Sequence, residues 1–121
     1  MKTSDFVEHV VHDVLSELRD VRARAMFGGW GLYKADIIFG IIVDDQLYFK
    51  VDATNQPQYE RHGSRPFTYA SRGKSITMSY WEVPAEVIDD REAIARWAEE
   101  SYHISRHGKA NSPGIRQRGK R

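Results

Sequence analysis

Residues 25–34 read Ala25-Met26-Phe27-Gly28-Gly29-Trp30-Gly31-Leu32-Tyr33-Lys34, with three glycines in four positions around one tryptophan. Such a cluster either cradles a phosphate or lets the chain bend, and its neighbours decide which. A phosphate loop needs glycine to admit the anion, then a helix whose first N–H groups point at it. Gly28, Gly29 and Gly31 do not match G-x-G-x-x-G, and Leu32-Tyr33 resume an extended pattern. A second candidate, Arg72-Gly73-Lys74-Ser75, ends like a Walker loop. Thr68 stands where that motif needs glycine, and the alternating, β-branched stretch ITMSYWEV follows instead of a helix. The glycines around Trp30 therefore read as backbone geometry: glycine in a strand marks a bulge, a sharp bend or a close approach. They let the first strand kink and turn back as the next, with Trp30 capping an end of the core.

Period two surrounds this bend. Val21, Ala23, Ala25 and Phe27 alternate with Arg22, Arg24 and Met26, a half-buried strand. Ile37–Val43 is apolar on both faces and reads as a central strand. Asp44-Asp45 makes a two-residue turn. Gln46 to Val51 then alternates, Leu47, Phe49 and Val51 inward, Tyr48 and Lys50 outward. Thr54 or Asn55 opens a short helix with Pro57 in its first turn and Gly63 past its end. Residues 63–74 read as a loop with a short extended piece at Phe67–Tyr69. Ser75–Val83 is another strand, stopped by Pro84.

Helical spacing brackets these strands. Phe6, Val7, Val10, Val11, Val14, Leu15 and Leu18 form one apolar stripe, predicting a helix over Asp5–Arg19 capped by Ser4 or Asp5. Asp89 caps a last helix, with Ile94, Trp97, Ala98, Ser101 and Tyr102 along one side. After His103 periodicity ends. The expectation is one domain over residues 1–103 and a flexible basic tail over 104–121. Short hairpin links imply a mainly antiparallel sheet, and the separated helices must cover a face of it, which gives a two-layer α+β fold.

The net charge of +1 hides a split. Arg106, Lys109, Arg116, Arg118, Lys120 and Arg121 lie in a tail without acidic residues, while residues 1–103 hold twelve basic against seventeen acidic ones. The tail is a candidate for nonspecific, salt-sensitive contact with nucleic acid, which the acidic body opposes. With no cysteine the chain has neither disulfides nor a thiol nucleophile. No secretory signal or membrane-length apolar run is legible, which suits a cytoplasmic protein.

No catalytic constellation emerges. His9, His12 and Asp13 share the polar side of the first helix and read as a solvated face. His103 and His107 have ligand-like spacing without a second pair to support it. Asp44-Asp45 and Asp89-Asp90 are explained by a turn and a cap. The expectation is a non-enzymatic protein with no metal and no cofactor. Trp30, Tyr48, Tyr80 and Trp81 form a candidate partner surface. Tyr80 and Trp81 must point to opposite faces of their strand, and the sequence leaves open which one joins Met78 and Ile76 on the exposed side. An exposed aromatic face serves to dock a protein, to stack bases or to underlie a helix.

Two segments together carry a resemblance. Arg24-Ala25-Met26-Phe27-Gly28-Gly29-Trp30-Gly31-Leu32-Tyr33, then Leu47-Tyr48-Phe49-Lys50-Val51-Asp52, resembles the N-terminal domain of the TfoX (Sxy) competence regulators. Pro66-Phe67-Thr68-Tyr69 and Met78-Ser79-Tyr80-Trp81-Glu82-Val83-Pro84 with Asp89-Asp90 follow in the same order, so that the similarity spans about residues 4–103. Met26, Phe27, Gly28, Gly29, Gly31 and Tyr33 carry its core as a fold signature. The resemblance implies a two-layer α+β fold similar to secretion-chaperone-like domains. It also implies a role in bacterial gene regulation, by protein contact with transcription components such as the cyclic-AMP receptor protein. The family offers no established catalytic residues. Longer members carry a second, helical C-terminal domain where this chain has its basic tail, which leaves direct competence activation and another regulatory role both open. The other expectation is a module that binds a small molecule or client protein on the sheet face, without nucleic acid.

Overall fold

The computed structural model describes residues 5–26 and 28–111, the side chains of 109–111 excepted. Six strands form one antiparallel sheet: β1 (Val21–Met26), β2 (Gly29–Lys34), β3 (Ile37–Val43), β4 (Gln46–Lys50), β5 (Pro66–Ser71) and β6 (Lys74–Glu82). Their spatial order is β1-β2-β3-β4-β6-β5. Helices α1 (Asp5–His9), α2 (Gln56–Arg61), α3 (Ala85–Ile88) and α4 (Arg91–Asn111) complete the two-layer α+β fold that the sequence predicts.

The glycine segment is a hairpin corner. Met26 pairs with Gly29, and Gly28 just before Gly29 is left-handed at φ +82°. Phe27 itself lies outside the described residues. Gly29 is required for another reason: a Cβ there would run into the Ile42 carbonyl oxygen of β3. Three hairpin turns, Ala35-Asp36, Asp44-Asp45 and Arg72-Gly73, place both residues at positive φ, the conformation that matches strand twist. Between Leu32 and Tyr33 the β2–β3 register slips by one residue, leaving Phe39 bulged. Phe39 thereby turns to the helix side and meets the Phe49 ring at 5.7 Å.

One side of the sheet carries the core. Leu32, Phe39, Ile42, Leu47, Phe49 and Val51 pack beneath Val7, Val10, Val14, Leu15, Ile94, Trp97 and Ala98. Ser101 on α4 donates a 2.7 Å bond to the Lys50 carbonyl oxygen, fixing the helix over the end of β4.

The sequence reading needs four corrections. The first helix does not reach Arg19: a π-helical turn at Val10–Val14, closed by Leu15 N–H to the Val10 carbonyl at 2.9 Å, replaces its second half. Val10, Val14 and Leu15 are all buried across this turn. Residues 66–71 are a full edge strand, because pairing to β6 outweighs their loop-like punctuation. Asp90, not Asp89, caps α4, its carboxylate accepting from the Glu92 and Ala93 N–H groups at 3.1 and 3.0 Å, while Asp89 ends α3. The expected tail begins inside α4, which continues through residue 111. Asn55 does precede α2, but its side chain makes no cap. It accepts from the Asp52 N–H at 2.9 Å and so ties down the β4–α2 link.

Candidate functional site

Strand alternation sends the remaining side chains to the other face, where none of the described helices lies. β1 contributes Arg22, Arg24 and Met26 there. Pairing of Lys50 with Tyr80 and of Phe49 with Trp81 fixes β6: Tyr80 and Met78 are on this open side and Trp81 is on the core side. The question that the sequence left open is thus answered. The candidate surface of four aromatics divides between the two faces. Trp30 and Trp81 pack against the helix-covered core, Trp81 against Tyr59, whereas Tyr48 and Tyr80 lie on the open side.

The open face is not flat. Met26 of β1 at one edge and Phe67 and Tyr69 of β5 at the other line the same groove, so the sheet curls into a trough. Its volume is about 590 Å³. Ile38, Ile41, Val43, Met78 and Tyr80 line its length, and Gly28, Gly29 and Trp30 close one part of its wall. Both methionines beyond the initiator contribute to it. Met26 and Tyr69 are the large hydrophobic side chains left exposed among the described residues, at 45% and 46%, and both line the trough. Concentrated exposure of this kind marks a contact surface more than scattered apolar residues do.

The rim is polar. Arg22 is ion-paired with Asp36, and Arg24, 3.9 Å from the same carboxylate, lies over the Tyr33 ring at 5.1 Å. The Lys50 ammonium donates to Ser79 Oγ at 2.7 Å and stands 5.3 Å from the Tyr80 ring centre. Burial holds Lys50 below the usual lysine pKa, with Asp52 opposing. Burial likewise pushes Tyr80 up, helped by Tyr33. Tyr48, edge-on to Phe67 at 5.0 Å, is raised by burial and by Glu82 and Asp44.

The other candidates disperse. His9 pairs with Asp13 at 3.3 Å and His12 with Glu8 at 3.2 Å, so the helix-face histidines face different carboxylates. His103 and His107 line an open cleft with Asp52 and Glu100. Among the described residues no three His, Cys, Asp or Glu side chains are placed to hold a metal. No described helix is long and apolar enough to cross a membrane. Arg106 is exposed on α4; the side chain of Lys109, and Arg116, Arg118, Lys120 and Arg121, lie outside the described residues. Sequence reasoning passed over Phe67, Tyr69 and Met26 as trough residues. The signal was present: each is a large apolar side chain at a strand position, or a supposed loop, assigned to solvent.

Fold and trough define a two-layer α+β domain whose antiparallel sheet is covered on one face and, among the described residues, open on the other. The chain belongs to the TfoX N-terminal domain family, whose model matches residues 13–104. It is similar to DNA transformation protein TfoX1 of Aliivibrio fischeri (strain ATCC 700601 / ES114), 25% identical over 116 residues, covering 93% of this chain and 55% of that protein. It is also similar to Protein Sxy of Escherichia coli (strain K12), 27% identical over 71 residues, covering 59% of this chain and 34% of that protein. The chain thus spans about half the length, or less, of these relatives.

Proposed function

We propose that this chain is a non-enzymatic, cytoplasmic regulator of the competence and DNA-transformation type that acts in transcription through protein contact. The open apolar trough is the observation that carries this reading. It is large, uncharged and exposed, and Met26, Gly28 and Gly29 of the family signature form part of its wall. The names of the two relatives, a DNA transformation protein and Sxy, support the biological setting. Basic residues after 103 add nonspecific DNA contact that weakens steeply with salt.

The test is made in the native host. The gene is deleted, then restored as the wild type or as Met26→Ser/Tyr69→Ser, and transcripts are measured at matched protein levels. Wild type is expected to restore a set of transcripts that the double variant does not. Deletion without any transcript change would sink the regulatory reading. Full restoration by the variant would sink the role of the trough.

The trough also favours a second reading, a binding module for a small apolar molecule, since its volume falls within the range of ligand pockets. Against this, the lining offers few polar groups to orient such a ligand. Saturable binding of laurate with loss in the double variant is the outcome that would establish it.

A further inference from the structure

The shape and charge of the trough restrict what it accepts. Both sheet edges line it, so the curl axis runs along the strands and the groove is concave across them. A second copy is a poor occupant, because a two-fold contact sets the same patch against itself and two concave faces leave a void. A convex rod with one apolar side fits. An α-helix is about 10 Å across, and one of roughly 12–16 residues matches the length of a seven-residue strand such as β3. The two methionines give the lining the adaptability that suits helix-binding grooves.

Charge supplies a direction. The eleven lining residues include none that is charged. At the Asp44-Asp45 turn the trough adjoins a cavity lined by both aspartates together with Met26, Gly28, Gly29 and Trp30. Glu82 stands at the same end of the strands, and Arg65 offsets one of these three charges. Among the described residues Asp44, Asp45 and Glu82 make no ion pair with a basic side chain. At the other end Lys50, Arg22 and Arg24 outnumber Asp36 and Asp52. The groove therefore runs from a negative end to a positive one. A helix carries partial positive charge at its N-terminus and negative at its C-terminus.

Resting on the proposal that the trough is the partner surface, we infer that it seats an amphipathic α-helix of the partner protein, lying along the strands. The N-terminus of that helix points to Asp44-Asp45 and its C-terminus to Lys50. The bound helix supplies a second helical layer on the face that this chain leaves bare.

Two fluorescein-labelled, end-capped 16-residue peptides with one Leu/Ala stripe test the inference. One carries lysines in its first turn and glutamates in its last; the other exchanges them. Anisotropy titration on the full chain is expected to show the lysine-first peptide about fivefold tighter. Asp44→Asn/Asp45→Asn, which retains residues suited to the turn, is expected to shift the ratio of the two affinities about threefold toward the exchanged peptide. Met26→Ser/Tyr69→Ser is expected to lose both peptides. Failure of both peptides to bind overturns the inference, as does a ratio that ignores Asp44 and Asp45. So does laurate binding tighter than either peptide, or a sedimenting dimer that the serine variant dissolves, or a tenfold gain in peptide affinity on removal of residues 112–121. The transcript experiment separates the levels: a serine variant inactive in the host, beside peptides that do not bind, leaves the trough as partner surface and refutes only the helix.

Discussion

The two faces of the sheet are built from the same strands, yet they differ in every physical respect. Phe39, Leu47 and Phe49 point to one side and are wholly buried under α1, the π turn and α4. Met26 and Tyr69 point to the other and remain nearly half exposed. On the first side apolar area is removed from water by the chain itself, which stabilises the fold. On the second the same kind of area stays wet and contributes little until something covers it. Alternation along a strand thus gives one protein a face covered in folding and a face left open.

The largest expected effect breaks the covered face. Phe49→Ala should destabilise the protein by about 4 kcal/mol, because a fully buried ring leaves a cavity. Urea unfolding reads it, and a loss below about 1 kcal/mol would show that the core is mispositioned. Next comes the corner between the faces. Gly29→Ala should cost about 3 kcal/mol, since the new methyl meets the Ile42 backbone carbonyl and no side chain can yield. Gly28→Ala, left-handed but with open space around it, should cost only about 1 kcal/mol. Equal costs in a thermal melt would contradict the close approach assigned to Gly29.

Alkaline pH sharpens the comparison more gently. Burial raises Tyr59 on the covered face, and Tyr80 and Tyr48 on the open one, above the ordinary tyrosine value of 10.0. A raised tyrosine keeps its full contribution below pH 10.0 and loses it above, because the unfolded chain ionises first. Lys50, lowered by burial, works in the opposite sense, as its proton leaves the folded state first. Three tyrosines against one lysine give net destabilisation. Tyr59 alone should contribute about 1.4 kcal/mol for each pH unit above its ordinary value. Urea midpoints at pH 8 and 11 should fall accordingly, and Tyr59→Phe should flatten the fall. A slope unchanged by that substitution would mean that the Tyr59 hydroxyl is wet.

The smallest effect belongs to the rim of the covered face. His62 and Glu86 approach to 2.6 Å, and this bond is the main cause of the lowered Glu86 pKa. The pair is exposed, so Glu86→Gln should move acid stability barely at all.

Much of the covered face was legible in the sequence. Leu47, Phe49 and Val51 alternate, Ile94, Trp97 and Ala98 recur at helical spacing, and these periods survive folding because burial selects for them. The π turn was not legible, since Val10, Val14 and Leu15 fit a regular stripe equally well. β5 was read only as a short extended piece at Phe67–Tyr69 because Pro66 and Gly73 punctuate the stretch. The helix beyond His103 was missed because it has no apolar stripe to announce it. The trough has no local signature at all. It arises when curling brings Met26 and Tyr69, at opposite sheet edges, to one groove, and no spacing along the chain records that.

Unfolding of Met26→Ser/Tyr69→Ser in urea tests most directly whether the open face is spared from folding duty. The midpoint should stay within a shift worth about 1 kcal/mol, as expected for side chains that the folded chain leaves in water. A loss of about 3 kcal/mol or more would place both residues in the core and contradict the division of the sheet into a covered face and an open one.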